Sequence, residues 1–421
     1  MWVFVRQIGP TLDASINRQS WTAREARIRE KLQMSSVSMR RRLVGVGLLG
    51  LGSLFIACGQ EPREETVANA PPPMTSASPA DAASAAPPPA ANADTPATPA
   101  ATASPALPVA AVAFESEELP EAELMPDSLA DQRAAMFRRM RAVLLLDDGQ
   151  VAALETIFGK SKHAGQGNPA VVKHPMTRTE CVAKRREADV HDEKKPKCRS
   201  PFMVPLYDPA AATEERATVC IDRYEFPGIP CEYPVTWVTT AHAQEMCKAV
   251  GKRLCDSHEW EGGCAGALLS AEQEYAFRLD RDGMRGSHNS KRDVRWAYGT
   301  EKDHAKCGAA SAKSKSCESS GWNKCGSNTY PAGSFPECKS PFGVYDQHGN
   351  VAEHMSLPLQ ANDLGAQGGF GVPEMKGSWF IFAKYEAHID DCRWRAPSWH
   401  DNEGRNHANY HLGFRCCKDV E

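Results

Sequence analysis

The sequence predicts an α+β domain of sparse secondary structure, with short strands, a small twisted sheet and long disulfide-linked loops. Three observations predict it. Fourteen of the fifteen cysteines lie between Cys181 and Cys417, a density natural where disulfides persist and foreign to a reducing cytosol. Gly, Pro, Asn and Ser interrupt almost every apolar run in that half, which keeps strands short and loops long. Apolar residues at helical spacing are confined to a few brief stretches. The net charge of −4 offers no concentrated basic surface, so nucleic acid is not an expected partner.

The remaining cysteine, Cys58, has its own context. Residues 1–38 carry Arg24, Arg27 and Arg29 and fit no secretory n-region, so they read as an upstream extension, with translation expected to start at Met39. From there, residues 39–57 read as a lipoprotein signal peptide: a basic MRRR start, an apolar stretch, and FIAC ending at Cys58, similar to a lipobox with Phe55 in place of the usual Leu. The span is too short for a membrane-crossing helix. The resemblance to bacterial lipoproteins implies a diacylglycerol-modified Cys58 that anchors the mature chain to a membrane. Ordinary secretion, with Cys58 unmodified, is the lesser reading. Gly59 is not the Asp associated with inner-membrane retention, so the implied place is the bacterial envelope, at the outer membrane or cell surface rather than the inner membrane.

Residues 58–112 are dominated by Ala, Pro, Thr and Ser. Such a segment has too few bulky apolar side chains to offset chain entropy, and its prolines favour extended backbone, so it reads as a disordered, semi-rigid linker. Residues 113–160 turn helical. Asp127 and Ser128 precede a stretch with apolar residues three and four apart. Val151, Leu154, Ile157 and Phe158 then mark one side of a second helix with Gly159 as its expected C-cap. A helical hairpin that packs on the main domain is expected. Residues 161–218 are basic and read as a loop closed by Cys181 and Cys198.

The last half of the chain carries four ordered motif blocks. CIDRYEF starts at Cys220 and leads through YPVTW at 233–237 to a helix expected over 240–250. CKAVGKRLCDSHEWEGGC spans Cys247 to Cys264. YPAGSFPECKSPFGVYDQHGNVAE spans Tyr330 to Glu353. The fourth runs from GSW at 377–379 to LGFRC, ending at Cys416. Together they resemble the formylglycine-generating enzyme, or sulfatase-modifying factor, superfamily, whose patterns include C-x-x-x-G-K-R-L-P, F-G-L-Y-D-M-x-G-N-V-W-E-W and a terminal G-F-R. The resemblance implies the sulfatase-modifying-factor fold, related to the C-type lectin architecture, over residues 219–421. It also implies disulfides Cys247–Cys416 and Cys264–Cys392. Cys255 stands where most relatives have Pro and accompanies the extra Cys417, so those two are expected to pair. The spacing leaves the rest open; Cys220–Cys231, Cys307–Cys317 and Cys325–Cys338 are the pairs of least loop length. No C-x-x-C knuckle accompanies these cysteines, so zinc is the lesser reading.

The family's oxidation of a substrate cysteine to an aldehyde uses copper held by two thiolates after G-G-S, a donor pair suited to Cu(I). Here Ile381 holds the first position, and Glu386 or Ala387 the second. None is a ligand for Cu(I), so copper is not expected and no catalytic residue is assigned. Aligning Cys392 with the second position would strip Cys264 of its partner and still leave Ile381 in the first. Ala352 and His354 replace groove-lining tryptophans, and Lys376 replaces the first Gly of G-G-S. Of the family's two calcium sites, one retains Glu353 with the carbonyls of Gly349 and Val351, a hard oxygen set, so Ca2+ is the one expected metal, set against a hydrogen-bonded structural role for Glu353. Lys306 stands where the other site needs Asn. His400, His407 and His411, with Asp401 or Glu403, form a weak candidate iron set. No G-x-S-x-G elbow, P-loop or dinucleotide fingerprint occurs. The expected function is a non-catalytic, disulfide-stiffened binding or scaffolding domain for an unknown protein or glycan ligand. An active, metal-dependent oxidoreductase of the same superfamily with relocated ligands is the alternative.

Overall fold

The helical hairpin predicted ahead of the main domain is an integral part of its core. The computed structural model describes residues 125–420, apart from 315–316, 318–320 and 399–403. The expected signal peptide, Cys58, the linker, and His400, Asp401 and Glu403 lie outside the described residues. Helix α1, Leu129–Leu144, starts at Ser128, whose side chain accepts from the Asp131 amide; α2, Asp148–Lys160, starts with a reciprocal capping box between Asp147 and Gln150. Phe137 meets Phe158 edge-on at 5.2 Å. Both helices bury their apolar side with Phe226, Val235, Met246 and Phe414. Gly159 is not the cap. The helix runs on through Lys160, and the Ser161 amide donates to Phe158 O.

The basic region is likewise not a closed loop. Thr177 and Glu180 form a capping box that starts α3, Arg178–Glu187, and strand β1, Met203–Leu206, follows. Strand β2, Val219–Asp222, precedes α4, Thr240–Ala249; then come β3, Arg253–Leu254, and α5, Ser257–Ala265. The short α6, Ala271–Glu274, and α7, Arg281–Lys291, complete the helices used below. Strands β4, Ala352–Leu357, β5, Val372–Lys376, β6, Leu412–Phe414, and β7, Cys416–Asp419, close the chain.

Two small sheets result. An antiparallel sheet has order β1-β2-β7-β3, and a second has order β5-β4-β6, with β4 antiparallel to β5 and parallel to β6. Only Arg415 separates β6 from β7, so the chain passes from the second sheet to the first across a single residue. No helix among the described residues is long and apolar enough to cross a membrane.

The structure contains Cys247–Cys416, Cys255–Cys417 and Cys264–Cys392, which staple the α4–β3–α5 segment to the C-terminal strand and the 390s loop. The pairs of least loop length are corrected. Cys220–Cys231, Cys307–Cys317, Cys325–Cys338 and a Cys181–Cys198 closure are replaced by Cys181–Cys231, Cys198–Cys220, Cys307–Cys338 and Cys317–Cys325. Loop length governs the entropy of closure in the unfolded chain. Native pairing instead needs Cα atoms about 4.4–6.8 Å apart. Helix α3 carries Cys181 to within 5.6 Å of Cys231, and β2 brings Cys220 within 5.7 Å of Cys198.

Candidate functional site

Strand β4 organises the site because its period of two sends Glu353 and His354 to opposite faces. Glu353 points into a buried ionic cluster. Arg415 donates to both its oxygens, from Nη2 at 2.6 Å and Nε at 2.7 Å, and the Trp260 indole adds a third bond at 3.1 Å. Arg415 also donates to the carbonyls of Asp222, Arg223 and Tyr345. Beside it, burial holds the Glu225 carboxyl far above its ordinary value and pushes Asp346 up to about 6. Glu225 accepts from Asn350 Nδ2 and the Val351 amide.

The calcium expectation for Gly349, Val351 and Glu353 does not fit this geometry. A guanidinium already spans the carboxylate edge a cation would take, so Glu353 serves as the buried counter-ion of Arg415. Arg415 is the residue sequence reasoning missed. Its signal was the terminal G-F-R, read only as a family mark.

The segment after β5 holds the positions that correspond to the family's copper thiolates. Gly377 has φ +75°, and a Cβ there would meet Gln347 O at 2.7 Å, so the chain needs glycine to turn at this point. Lys376 before it is buried, donating to Glu261 at 2.5 Å and to Trp394 O at 2.6 Å. Ile381 sits in an apolar cluster with Ala352, Met375, Trp379, Phe380, Phe382 and Leu412. Glu386 is exposed and paired with Lys302 and His304. Every cysteine among the described residues is in a disulfide. An isoleucine, a surface carboxylate and an alanine do not make a Cu(I) donor set.

Ala387 lines a cavity of about 240 Å³ formed with His354, Pro373, Met375, Trp379, His388, Gly404, His407 and His411. Four imidazoles, one indole and a thioether thus face one space, and among the described residues no carboxylate, lysine or arginine lines it. The sequence alone groups His407 with His411, and the family resemblance places His354 in the groove. His388 had not been singled out, because only the fold brings its loop to β4. His354 is fixed as a neutral tautomer: Nε2 lies 3.1 Å from Val238 O and must donate, leaving Nδ1 to accept from Thr240 Oγ1 at 3.1 Å. Burial, aided by the charge of His407, pushes its pKa down to about 4. His411 stacks on Trp379 with ring centres 4.6 Å apart, and His388 lies parallel to Trp394 at 5.1 Å. The exposed Tyr385 and Ile389 stand on the same loop as His388. This space suits a small ligand held by aromatic faces and a few imidazole hydrogen bonds.

Residues 190–420, more than half of the chain, match the family model of the sulfatase-modifying factor enzyme 1-like domain. No curated protein matches the chain.

Proposed function

The chain belongs to the sulfatase-modifying factor family, and on that premise we propose that it is a binding or scaffolding member without the family's thiol-oxidising chemistry. The carrying observation is the identity of the residues at the two ligand positions: Ile381 lies in an apolar cluster, and of the two candidates for the second position Glu386 is ion-paired at the surface and Ala387 opens onto the cavity. The crosslinked framework stiffens the loops that surround that cavity, which lowers the ordering cost of binding. Its ligand, a protein or glycan, engages the aromatic and imidazole lining together with the exposed rim of Tyr385 and Ile389. The lipobox-like FIAC sequence supports an envelope lipoprotein, anchored by acyl chains on Cys58 at the outer membrane or cell surface.

The decisive experiment offers purified full chain Cu(I), oxygen and a cysteine-containing sulfatase peptide. The expected result is no aldehyde; formation of formylglycine refutes the proposal. Ala387→Trp fills the cavity mouth and is expected to abolish Trp379 fluorescence changes produced by a bound glycan or peptide. A second reading, an oxygenase using relocated ligands, is favoured by the four cavity histidines alone. Oxygen uptake that depends on iron or copper and is lost in His411→Ala would establish it instead. Metabolic labelling with a fatty acid, compared between wild type and Cys58→Ser, tests the anchor.

A further inference from the structure

Outside the cavity, aromatic rings from three separate segments meet at the surface. His163 comes from the stretch after α2, Trp237 from the stretch between β2 and α4, and Trp322 from a short helical turn, Gly321–Asn323. The His163 and Trp322 rings lie nearly parallel, 18° apart with centres at 5.1 Å. Trp237 stands across both, at 82° to Trp322 and 67° to His163, with centres at 5.8 Å and 5.9 Å. None of the three lines the cavity. His163 also lies ahead of residues 190–420, so the family domain alone does not contain the group.

Two features of Trp237 mark this corner as more than packing. Its φ is +56°, a left-handed conformation that a bulky residue rarely takes and that persists only where the surroundings hold it. Thr236 donates its amide to Gly165 O at 2.7 Å and accepts the Gly165 amide at 3.2 Å, Thr236 Oγ1 donates to Ser327 Oγ at 2.9 Å, and the Trp237 amide donates to Asn409 O at 3.1 Å. Trp322 is fixed in turn by Asn168 Nδ2, which donates to its carbonyl at 2.9 Å, and by the Cys317–Cys325 bridge on either side of it. The second feature is an orphan donor. Trp237 is 8% exposed, yet its Nε1–H has no acceptor among the described residues. A buried N–H in that state is destabilising, and a ligand atom that accepts from it removes the penalty.

His163 shows how a ligand reaches the corner. It is exposed, and among the described residues its ring is held by the two indole contacts with no hydrogen bond of its own. One side-chain rotation uncovers the Trp322 face beside Trp237. A pyranose lying flat in that place sets its C–H face against the negative π face of Trp322. Its equatorial hydroxyls lie in the plane of the ring, which carries one of them to the Trp237 side, where it accepts from Nε1–H. Partial burial pushes the His163 pKa down, and so do the positive charges of Lys162 and Arg133. The same field favours an anion where that ring now lies.

We propose that His163 occupies the seat of an acidic saccharide: the imidazole swings out, a pyranose stacks on Trp322, a hydroxyl accepts from Trp237 Nε1, and the sugar carboxylate lies beside the exposed Lys162. The inference is independent of what the cavity binds.

The test titrates purified full chain, labelled with nitrogen-15 at its indoles, with a hyaluronan tetrasaccharide of alternating glucuronate and N-acetylglucosamine. The Trp237 Nε1–H resonance, assigned by its loss in Trp237→Phe, is expected to move, and the affinity to fall with added salt. Trp322→Ala should weaken binding about 10-fold, and Lys162→Gln should weaken it and flatten the salt dependence. His163→Ala should tighten binding about 2–10-fold, because no ring then has to be displaced. Neutral cellotetraose should bind more weakly than the acidic sugar. Where Trp322→Ala does not fold, the wild-type resonance decides alone. A Trp237 resonance that stays still, cellotetraose binding as tightly as the acidic sugar, weaker binding in His163→Ala, or tighter binding of adenosine monophosphate or a proline-rich peptide at the same resonance would each overturn the proposal.

Discussion

Replacing Cys255 and Cys417 together by alanine removes one of two nearly parallel crosslinks, and the size of the loss reports how the two share their work. Taken alone, a bridge across 162 residues restricts the unfolded chain by about 5 kcal/mol in the chain-entropy account. The neighbouring bond changes the sum. With Cys247–Cys416 in place, the path from Cys255 to Cys247, across that bridge and on to Cys417 closes a loop of only about 10 residues, which corresponds to about 2.7 kcal/mol. Removing both bonds leaves Cys264–Cys392, through which the open loop is about 34 residues. The double loss is then about 6.5 kcal/mol, some 1 kcal/mol more than twice the single one. Equilibrium urea unfolding of the oxidised variants, with m-values compared, measures each loss. A single loss near 5 kcal/mol, or a double loss equal to twice the single, refutes the idea that the bridges share one loop.

Arg415→Ala should destabilise by about 3–5 kcal/mol, because it leaves Glu353 buried without its counter-ion; chemical denaturation that finds less than 1 kcal/mol contradicts the assigned pairing. Stability should fall with acid in a window set by buried histidines. With folded pKa values of about 4 for His354 and His288 and about 3 for His174, against 6.5 unfolded, their neutral forms stabilise fully above pH 6.5, and this is lost as pH drops through 4. His354→Gln should therefore flatten the pH–stability slope by about 3 kcal/mol across that interval, and an unchanged slope counts against the neutral tautomer. Gly377→Ala should cost about 1–3 kcal/mol through its left-handed backbone alone, plus the displacement of Gln347 O. A thermal melt indistinguishable from wild type contradicts that.

Much of this fold was written locally, and the parts that were not share a cause. Helix α4 and the turn into α5 carry their own capping residues, Thr239 and Asp256, and the motif blocks around them fix the strands that follow. Two of the three long disulfides came from a family pattern, and the third, Cys255–Cys417, from two cysteines that depart from that pattern together. Where no pattern applied, cysteine order gave four wrong pairs, two of them because Cys181 rides on a helix that the basic composition of its region concealed. Glu353 posed a related difficulty. A carboxylate after G-N looks like an oxygen ligand until Arg415, 62 residues further on, is folded against it.

The cavity makes the same argument from the functional side. Its imidazoles come from β4, the loop after Trp379 and the segment before β6, so no window of sequence contains the group. What sequence did contain was a negative signal, the lack of sulfur at 381 and at 386 or 387, and the structure gives that signal a physical setting. Ile381 contributes to the apolar wall beside Trp379, and Ala387 leaves open the space that a larger side chain would fill. Substituting cysteine at both positions therefore tests more than a missing ligand pair. If the wall tolerates Ile381→Cys and the doubly substituted protein still fails to bind Cu(I), the surrounding imidazoles and the fixed tautomer of His354 have shaped the cavity for another occupant. If it binds copper and oxidises thiols, the two side chains alone separate this protein from a catalyst.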